Sequence, residues 1–142
     1  MTTVNMDKLE TQLTDEEGRK NKAYWDNRGV LSIGIGRNLS SVGLRDCEIN
    51  YLFENDIKEV EINLKAYLPW VFDLDEVRLR VFYDLCFNMG IHTLTGFPKL
   101  LGYAKAGMFD KAADELKDSL WYGEVGSRAP KLEQMLRTGE DV

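Results

Sequence analysis

The apolar positions near the start of the chain follow a helical period. Met6, Leu9 and Leu13 recur three or four residues apart, and polar residues separate them. Gly18 is typical of the residue that ends a helix, because glycine adopts the left-handed backbone at low cost. The pattern therefore predicts a short amphipathic helix that ends just before Gly18.

Between residues 24 and 35 the period changes to the alternation of a β-strand. The apolar members of this alternation are Leu31, Ile33 and Ile35, and the intervening residues are Ser32 and Gly34. The segment Asn27-Arg28-Gly29 supplies turn residues before it. We expect a hairpin here, with Ser32 facing away from its apolar neighbours.

Helical spacing returns in the rest of the chain and predicts two long helices. The first has an apolar stripe of Phe53, Ile57, Val60, Leu64 and Leu68, and it ends at Pro69. The second begins after an Asp75 cap and ends at Gly90, with Val77, Val81, Phe82, Leu85, Cys86, Phe87 and Met89 on a wide apolar face. A face this wide predicts a central, buried helix.

Three shorter helices are expected to follow. They cover residues 99–105, 111–117 after an Asp110 cap, and 129–137 after Ser127. The fold class is therefore α+β, with a small N-terminal antiparallel sheet lobe, a larger helical lobe, a long helix joining them and a cleft between them. We expect a single domain over residues 1–142, with the sheet lobe at about 14–52 and the helical parts at 1–13 and 53–142.

Composition narrows the class of protein. The chain is 44% hydrophobic and 30% charged, which is ordinary for a soluble domain. No apolar run reaches the roughly 18–20 residues of a membrane span, and the polar N-terminus does not resemble a secretory signal. We therefore expect synthesis in the cytoplasm and no membrane anchor.

Cysteine, histidine and net charge exclude several kinds of site. Cys47 and Cys86 are too few for a disulfide framework, and Cys86 is expected in the core. His92 is the single histidine, so we expect no metal and no cofactor. The formal charge of −6 argues against a nucleic-acid partner and against simple attraction to an anionic surface.

Three polar residues in the N-terminal run carry candidate chemistry. Glu17 lies at a helix end, where the negative end of the dipole favours the protonated form of a carboxyl group. Asp26 precedes a turn, and Ser32 adds a hydroxyl on the next strand. Two carboxyl groups in different environments can serve as proton donor and permanent anion, which is what a glycosidase needs. Each residue also has a plainer interpretation, as a solvated helix end, a turn residue and a surface hydroxyl.

The same run resembles the active-site region of the phage-type lysozymes of glycoside hydrolase family 24. That family has Glu, then Asp nine positions on, then Thr six further, followed by Ile-Gly-x-Gly. Here the spacing is kept by Glu17, Asp26 and Ser32, which Ile33-Gly34-Ile35-Gly36 follows. Further similar segments are Phe87-Asn88-Met89-Gly90, Gly96-Phe97, Trp121-Tyr122, Arg128-Ala129 and Leu136-Arg137-Thr138-Gly139.

The resemblance implies a lysozyme-like fold and the activity of an endolysin. This is a monomeric muramidase that cuts the β-1,4 bond between N-acetylmuramic acid and N-acetylglucosamine in peptidoglycan, with inversion, to lyse the host cell after release. It implies that Glu17 is the acid, Asp26 the ionised partner and Ser32 a holder of water. Arg128 would orient Glu17, and the residues expected to contact substrate are Gly36, Phe87, Asn88, Met89 and Phe97.

Departures from the family pattern leave alternatives open. Ser32 replaces the usual Thr, and Arg37 stands where His is common, so we expect Arg37 to pair with Asp56. The acidic charge also departs from the basic relatives. A lytic transglycosylase would need the glutamate but no water-directing aspartate. A non-catalytic wall-binding or virion module could have kept the fold without the activity.

Overall fold

The computed structural model describes residues 1–119 and 121–142 in full and residue 120 without its side chain. The elements, in chain order, are α1 (Met6–Glu17), β1 (Lys20–Trp25), β2 (Leu31–Gly34), β3 (Arg37–Asn38), α2 (Asp46–Tyr67), a 3-10 helix (Pro69–Asp73), α3 (Glu76–Met89), α4 (Ile91–Leu94), α5 (Pro98–Lys105), α6 (Phe109–Lys117), α7 (Leu120–Glu124) and α8 (Arg128–Thr138). A small antiparallel sheet followed by helices confirms the predicted α+β class.

The chain divides into two compact units, Met1–Tyr51 and Leu52–Val142, and the division falls within α2. The first unit contains α1 and the whole sheet. Helix α1 begins after Asn5, whose side chain accepts a hydrogen bond from the Lys8 N–H at 3.0 Å. It ends at Gly18, whose φ of 76° and bond to the Thr14 carbonyl confirm the predicted helix end.

The sheet has the order β1-β2-β3, with both neighbouring pairs antiparallel. Tyr24 lies opposite Ser32, and Ser32 lies opposite Asn38, so β2 is the central strand. Strand β1 begins at Lys20, earlier than predicted, because its first residues are polar on both faces and give no alternation. The predicted strand through Ile35 is wrong, since β2 ends at Gly34 and the chain turns at Ile35 and Gly36 into an unpredicted β3.

The ends of the two long helices lie close to where the sequence predicts, but α2 begins at Asp46, well before the predicted start near Phe53. Helix α2 ends at Tyr67, just before Pro69. The side chain of Asp75 accepts a hydrogen bond from the Arg78 N–H at 3.1 Å and caps α3, and Gly90 ends α3 with a φ of 82°. The expected buried face of α3 is confirmed for Phe82 and Leu85, which are fully buried, and for Cys86, which is 3% exposed. Phe87 was placed on the same face, but it is 46% exposed because it lies in the last turn of α3.

The shorter helices agree less well with the sequence prediction. Helix α6 begins at Phe109 after Met108, so Asp110 lies in its first turn and is not the predicted cap. Helices α4 and α7 were not predicted, because four or five residues are too few to display a helical period. Helix α8 begins after Ser127 as expected, although the Ser127 side chain makes no capping hydrogen bond.

Arg78 fastens the end of α8 to α3 within the second unit. Its Nε donates to the Leu136 carbonyl at 2.7 Å, and its Nη2 donates to the Arg137 carbonyl at 2.9 Å. The guanidinium group also stacks 3.6 Å from the centre of the Phe109 ring. Arg78 therefore satisfies carbonyl groups that the last turn of a helix leaves without partners.

Candidate active site

Glu17 is the last residue of α1, and its side chain lies against the turn between β2 and β3. A Cβ atom placed on Gly36 would fall 2.6 Å from Glu17 Oε2 and 2.9 Å from Glu17 Cδ. Gly36 also has a φ of +70°, which residues other than glycine rarely adopt. The predicted site residues Glu17 and Gly36 are thus neighbours, and the carboxylate lies where a side chain at position 36 would be.

Asp26 directly follows β1 and folds the hairpin turn around its own side chain. Its Oδ1 accepts hydrogen bonds from the Arg28 N–H at 2.8 Å and the Val30 N–H at 2.9 Å. The hydrogen bond from Val30 lowers the pKa of Asp26 most, partial burial opposes it, and the N–H and the charge of Arg28 lower it further. The arrangement keeps Asp26 ionised at neutral pH.

Ser32 lies close to Asp26 through their shared neighbour Val30. The Val30 carbonyl accepts from the Asp26 N–H at 2.9 Å and from Ser32 Oγ at 3.3 Å. Continuing the register of β1 and β2 puts Asp26 opposite Val30, so Asp26 and Ser32 share one face of the sheet. Ser32 is 3% exposed, so the plainer interpretation as a surface hydroxyl is wrong.

The other predicted substrate contacts belong to the second unit. Phe87 is 46% exposed and packs edge-on against Phe53, with ring centres 5.9 Å apart. Asn88 Oδ1 accepts a hydrogen bond from Trp121 Nε1. Met89 and Phe97 are partly buried and pack against the core. Phe87 and Asn88 are therefore exposed, while Met89 and Phe97 are only partly accessible.

Arg128, the residue expected to orient the acid, lies near Asp84 within the second unit. Its Nε is 3.9 Å from Asp84 Oδ1. Burial raises the pKa of Asp84, and the nearby Arg128 charge opposes that shift. Both residues line an open cavity of about 680 Å³ together with Phe53, Ile57, Val60, Glu76, Leu79, Arg80, Tyr83 and Phe87. The sequence analysis missed Asp84, although a carboxylate within the apolar run of α3 was a signal that could have pointed to it.

Arg37 is paired with Glu48 in the first unit. Its Nη2 lies 2.6 Å from Glu48 Oε2, and its Nη1 donates to Glu48 Oε1 at 2.8 Å. This pairing lowers the pKa of Glu48 to about 2. The predicted pair of Arg37 with Asp56 is therefore wrong. Glu48 stands in the first turn of α2, whereas Asp56 follows about 12 Å further along the helix axis.

Two features of the described residues bear on other kinds of site. No group of three or more His, Cys, Asp or Glu side chains among them is arranged to hold a metal ion. Within the same residues, no helix is both long enough and apolar enough to cross a lipid bilayer.

The small antiparallel sheet and the mostly helical remainder of the chain agree with a lysozyme-like α+β fold. The family described as Phage lysozyme matches residues 14–137 of the chain. The chain therefore belongs to the phage lysozyme family.

Individual relatives are similar at low identity. Probable T4-type lysozymes 1 and 2 of Dictyostelium discoideum are 25% and 26% identical to the chain, with 92% of the chain and 94% of each relative covered. The pre-baseplate central spike protein Gp5 of Enterobacteria phage T4 is 26% identical over 89% of the chain. The chain spans only 27% of that spike protein's length.

Proposed function

We propose that the chain is a muramidase that hydrolyses the β-1,4 bond between N-acetylmuramic acid and N-acetylglucosamine in peptidoglycan. The observation that carries the proposal is the shared contact of Asp26 and Ser32 with Val30, on the same unit as Glu17. An ionised carboxylate beside a hydroxyl, with a second carboxyl group on the same unit, supplies what glycoside hydrolysis requires.

Asp26 and Ser32 together offer a place for the attacking water. Asp26 Oδ1 already accepts two backbone N–H groups, and among the described atoms Oδ2 has no such partner. The Ser32 hydroxyl donates its own hydrogen to the Val30 carbonyl, so its oxygen is left as an acceptor. A water that donates to Asp26 Oδ2 and Ser32 Oγ would keep a lone pair free for the anomeric carbon.

Glu17 would act as the general acid and give its proton to the leaving oxygen. Attack by water from the opposite face inverts the anomeric carbon, and inverting enzymes separate their two carboxyl groups by about 6.5–9.5 Å. Gly36, Phe87, Asn88, Met89 and Phe97 would contact the glycan. In this proposal the reaction uses no cofactor, and the protein acts as a monomer on the host cell wall after release, as an endolysin.

Product analysis on purified peptidoglycan tests the proposal. The wild-type protein should release fragments with reducing ends, and Glu17→Gln should lower the rate by about 10²–10⁴-fold because the amide cannot donate a proton. Glu16→Gln is the matched control, since Glu16 is a neighbouring exposed glutamate on the same helix. Anhydro ends on the products would indicate a transglycosylase, and a Glu17→Gln rate within threefold of wild type would refute the acid assignment.

A second candidate is a wall-binding module of a phage particle. It is favoured by the similarity to a spike protein, of which the chain matches about a quarter. Such a module has no need for turnover, so a turbidity assay on permeabilised bacteria separates the two candidates. Clearing by the wild type, and its loss in Glu17→Gln, would support the muramidase; sedimentation with walls without clearing would support the module.

A further inference from the structure

Positive charge is concentrated in the sheet region of an acidic chain. Residues 18–45 contain six basic side chains and only Asp26 as an acidic one, so this segment has a formal charge of +5 while the whole chain has −6. Two of the six, Arg37 and Arg45, lie 2.6 Å and 3.5 Å from Glu48. The remaining four are Arg19, Lys20, Lys22 and Arg28.

These four residues form what we call the cationic edge. All four are exposed, and among the described side chains none of them forms a salt bridge. Lys20 and Lys22 lie on β1, which is an outer strand of the sheet, while Arg19 precedes that strand and Arg28 lies in the turn after it. Their charges are therefore available to an anion from solution.

The cationic edge lies beside the residues proposed to hold the attacking water. Lys20 pairs with Gly34 at the end of β2, and Tyr24 pairs with Ser32, although the register shifts between these two pairs. Asp26, just beyond the other end of β1, shares a face of the sheet with Ser32. Lys20 and Asp26 thus lie at opposite ends of the strand, with Ser32 across from the segment between them.

We propose that the cationic edge binds the carboxylate groups of the peptides that peptidoglycan carries on its muramic acid residues. The proposal rests on the proposed function in that it takes the partner to be peptidoglycan. A glycan strand placed at Asp26 and Ser32 extends along this face, and its peptide branches then run beside β1. The cations would fix the position of the strand through these branches, while Asp26 and Ser32 hold the water.

The charge distribution favours short carboxylate branches over an extended polyanion. Charges are felt over about 10 Å at moderate salt, so a carboxylate at the middle of β1 meets the cations of this strand, whereas Asp15, Glu16 and Glu17 belong to the preceding helix. A membrane surface or a nucleic acid spans much larger distances and would also meet the remainder of the chain, which is strongly acidic. The expectation from net charge, that anionic partners are disfavoured, therefore does not extend to this edge.

A binding assay on intact walls tests the proposal separately from turnover. All proteins carry Glu17→Gln, and binding is measured by sedimentation with purified peptidoglycan in the cold. The Lys20→Gln/Lys22→Gln variant is compared with Lys99→Gln/Lys105→Gln, which removes two exposed lysines from α5 and changes the net charge equally. Each protein is tested on untreated walls and on walls whose carboxylates have been converted to neutral amides.

We expect Lys20→Gln/Lys22→Gln to lose about tenfold in affinity for untreated walls at about 50 mM salt. The α5 variant should stay within twofold, and on amidated walls the two variants should bind alike. An equal loss in the α5 variant, or a loss that persists on amidated walls, would overturn the proposal. So would a greater loss on anionic vesicles or duplex DNA than on walls, which would assign the edge to a membrane or a nucleic acid.

The result for the cationic edge and the result for the proposed function are read from different measurements. Product analysis of the wild type decides whether the protein is a muramidase, and sedimentation decides what the lysines bind. If Glu17→Gln still cut the walls, the acid assignment would fail, while the comparison of the two lysine variants before cleavage would remain valid.

Discussion

The carboxylate of Glu17 occupies the space that a side chain at Gly36 would need. A Cβ atom at position 36 would lie 2.6 Å from Glu17 Oε2, and the nearest side-chain carbons of Glu17 would be 2.9 Å and 3.2 Å away. The absence of a side chain at Gly36 therefore determines where the proposed acid lies. This relationship leads directly to a test with a matched control.

Gly36→Ala should displace the Glu17 carboxylate, whereas Gly34→Ala should not. Gly34 is the last residue of β2, just before the same turn, and has a similar φ of +67°, but a Cβ there meets nothing within 4 Å. Both variants should lose about 1–2 kcal/mol of folding free energy, because alanine disfavours a positive φ. Only Gly36→Ala should also lower kcat, by about tenfold or more. Thermal melts and initial rates on peptidoglycan measure the two effects. Equal rates for the folded variants would show that Gly36 does not position Glu17.

Ser32→Ala should reduce activity while the fold is kept. The change removes the oxygen proposed to accept a hydrogen bond from water, and the Val30 carbonyl still has the Asp26 N–H as a partner. We expect turnover to fall by about 10–100-fold. Ser32→Thr, which retains a hydroxyl, is the control and should keep most of the activity in the same assay. Full activity of Ser32→Ala on walls would rule out the role in holding water.

Glu48 should stabilise the first unit in a pH-dependent manner. Hydrogen bonds from Arg37 and the Arg45 N–H lower its pKa in the folded protein from 4.5 to about 2. A lowered folded pKa means that the contribution is fully present above the unfolded pKa and is lost as pH falls toward about 2. In melts from pH 7 to pH 2, Glu48→Gln should be less stable than wild type above about pH 5, and the curves should converge in acid.

The control for these melts is Asp56→Asn, because the sequence wrongly predicted Asp56 as the ion-pair partner of Arg37. It should not reproduce the loss of stability that Glu48→Gln shows above about pH 5, because Arg37 pairs with Glu48 and not with Asp56. If Asp56→Asn lost that stability and Glu48→Gln did not, the pairing of Arg37 with Glu48 would be contradicted.

Arg78→Lys should destabilise the second unit by about 1–3 kcal/mol. A lysine has one ammonium group and cannot reproduce the bonds to the Leu136 and Arg137 carbonyls at 2.7 Å and 2.9 Å while stacking on Phe109. Arg80→Lys is the control, because Arg80 is 45% exposed and pairs with surface carboxylates, where a loss of about 0–1 kcal/mol is expected. Denaturant unfolding measures both changes. Equal losses would mean that the hydrogen bonds from Arg78 to the α8 carbonyls add no more to the free energy of unfolding than a surface ion pair does.

The sequence by itself determined the features that depend on local chemistry. Helix ends at Gly18, Pro69 and Gly90 and the Asp75 cap were predicted correctly, because each depends on residues within one turn of the chain. The spacing of Glu17, Asp26 and Ser32 gave the family, and the Phage lysozyme match over residues 14–137 confirms it. Most of the buried face of α3 followed from its apolar period in the same way, with the exposed Phe87 as the exception.

Only the tertiary structure decided which distant groups meet. Several carboxylate residues follow Arg37 in the sequence. Its pairing with Glu48 depends on where α2 begins, and the apolar stripe from Phe53 onward did not reveal that start. Likewise, the alternation along β2 did not reveal that Ser32 is buried, and only the folded chain brings the Glu17 carboxylate against the turn at Gly36. Hydrophobic periodicity reports which face of an element is buried, but the pairing of two side chains depends on where both backbones run in space.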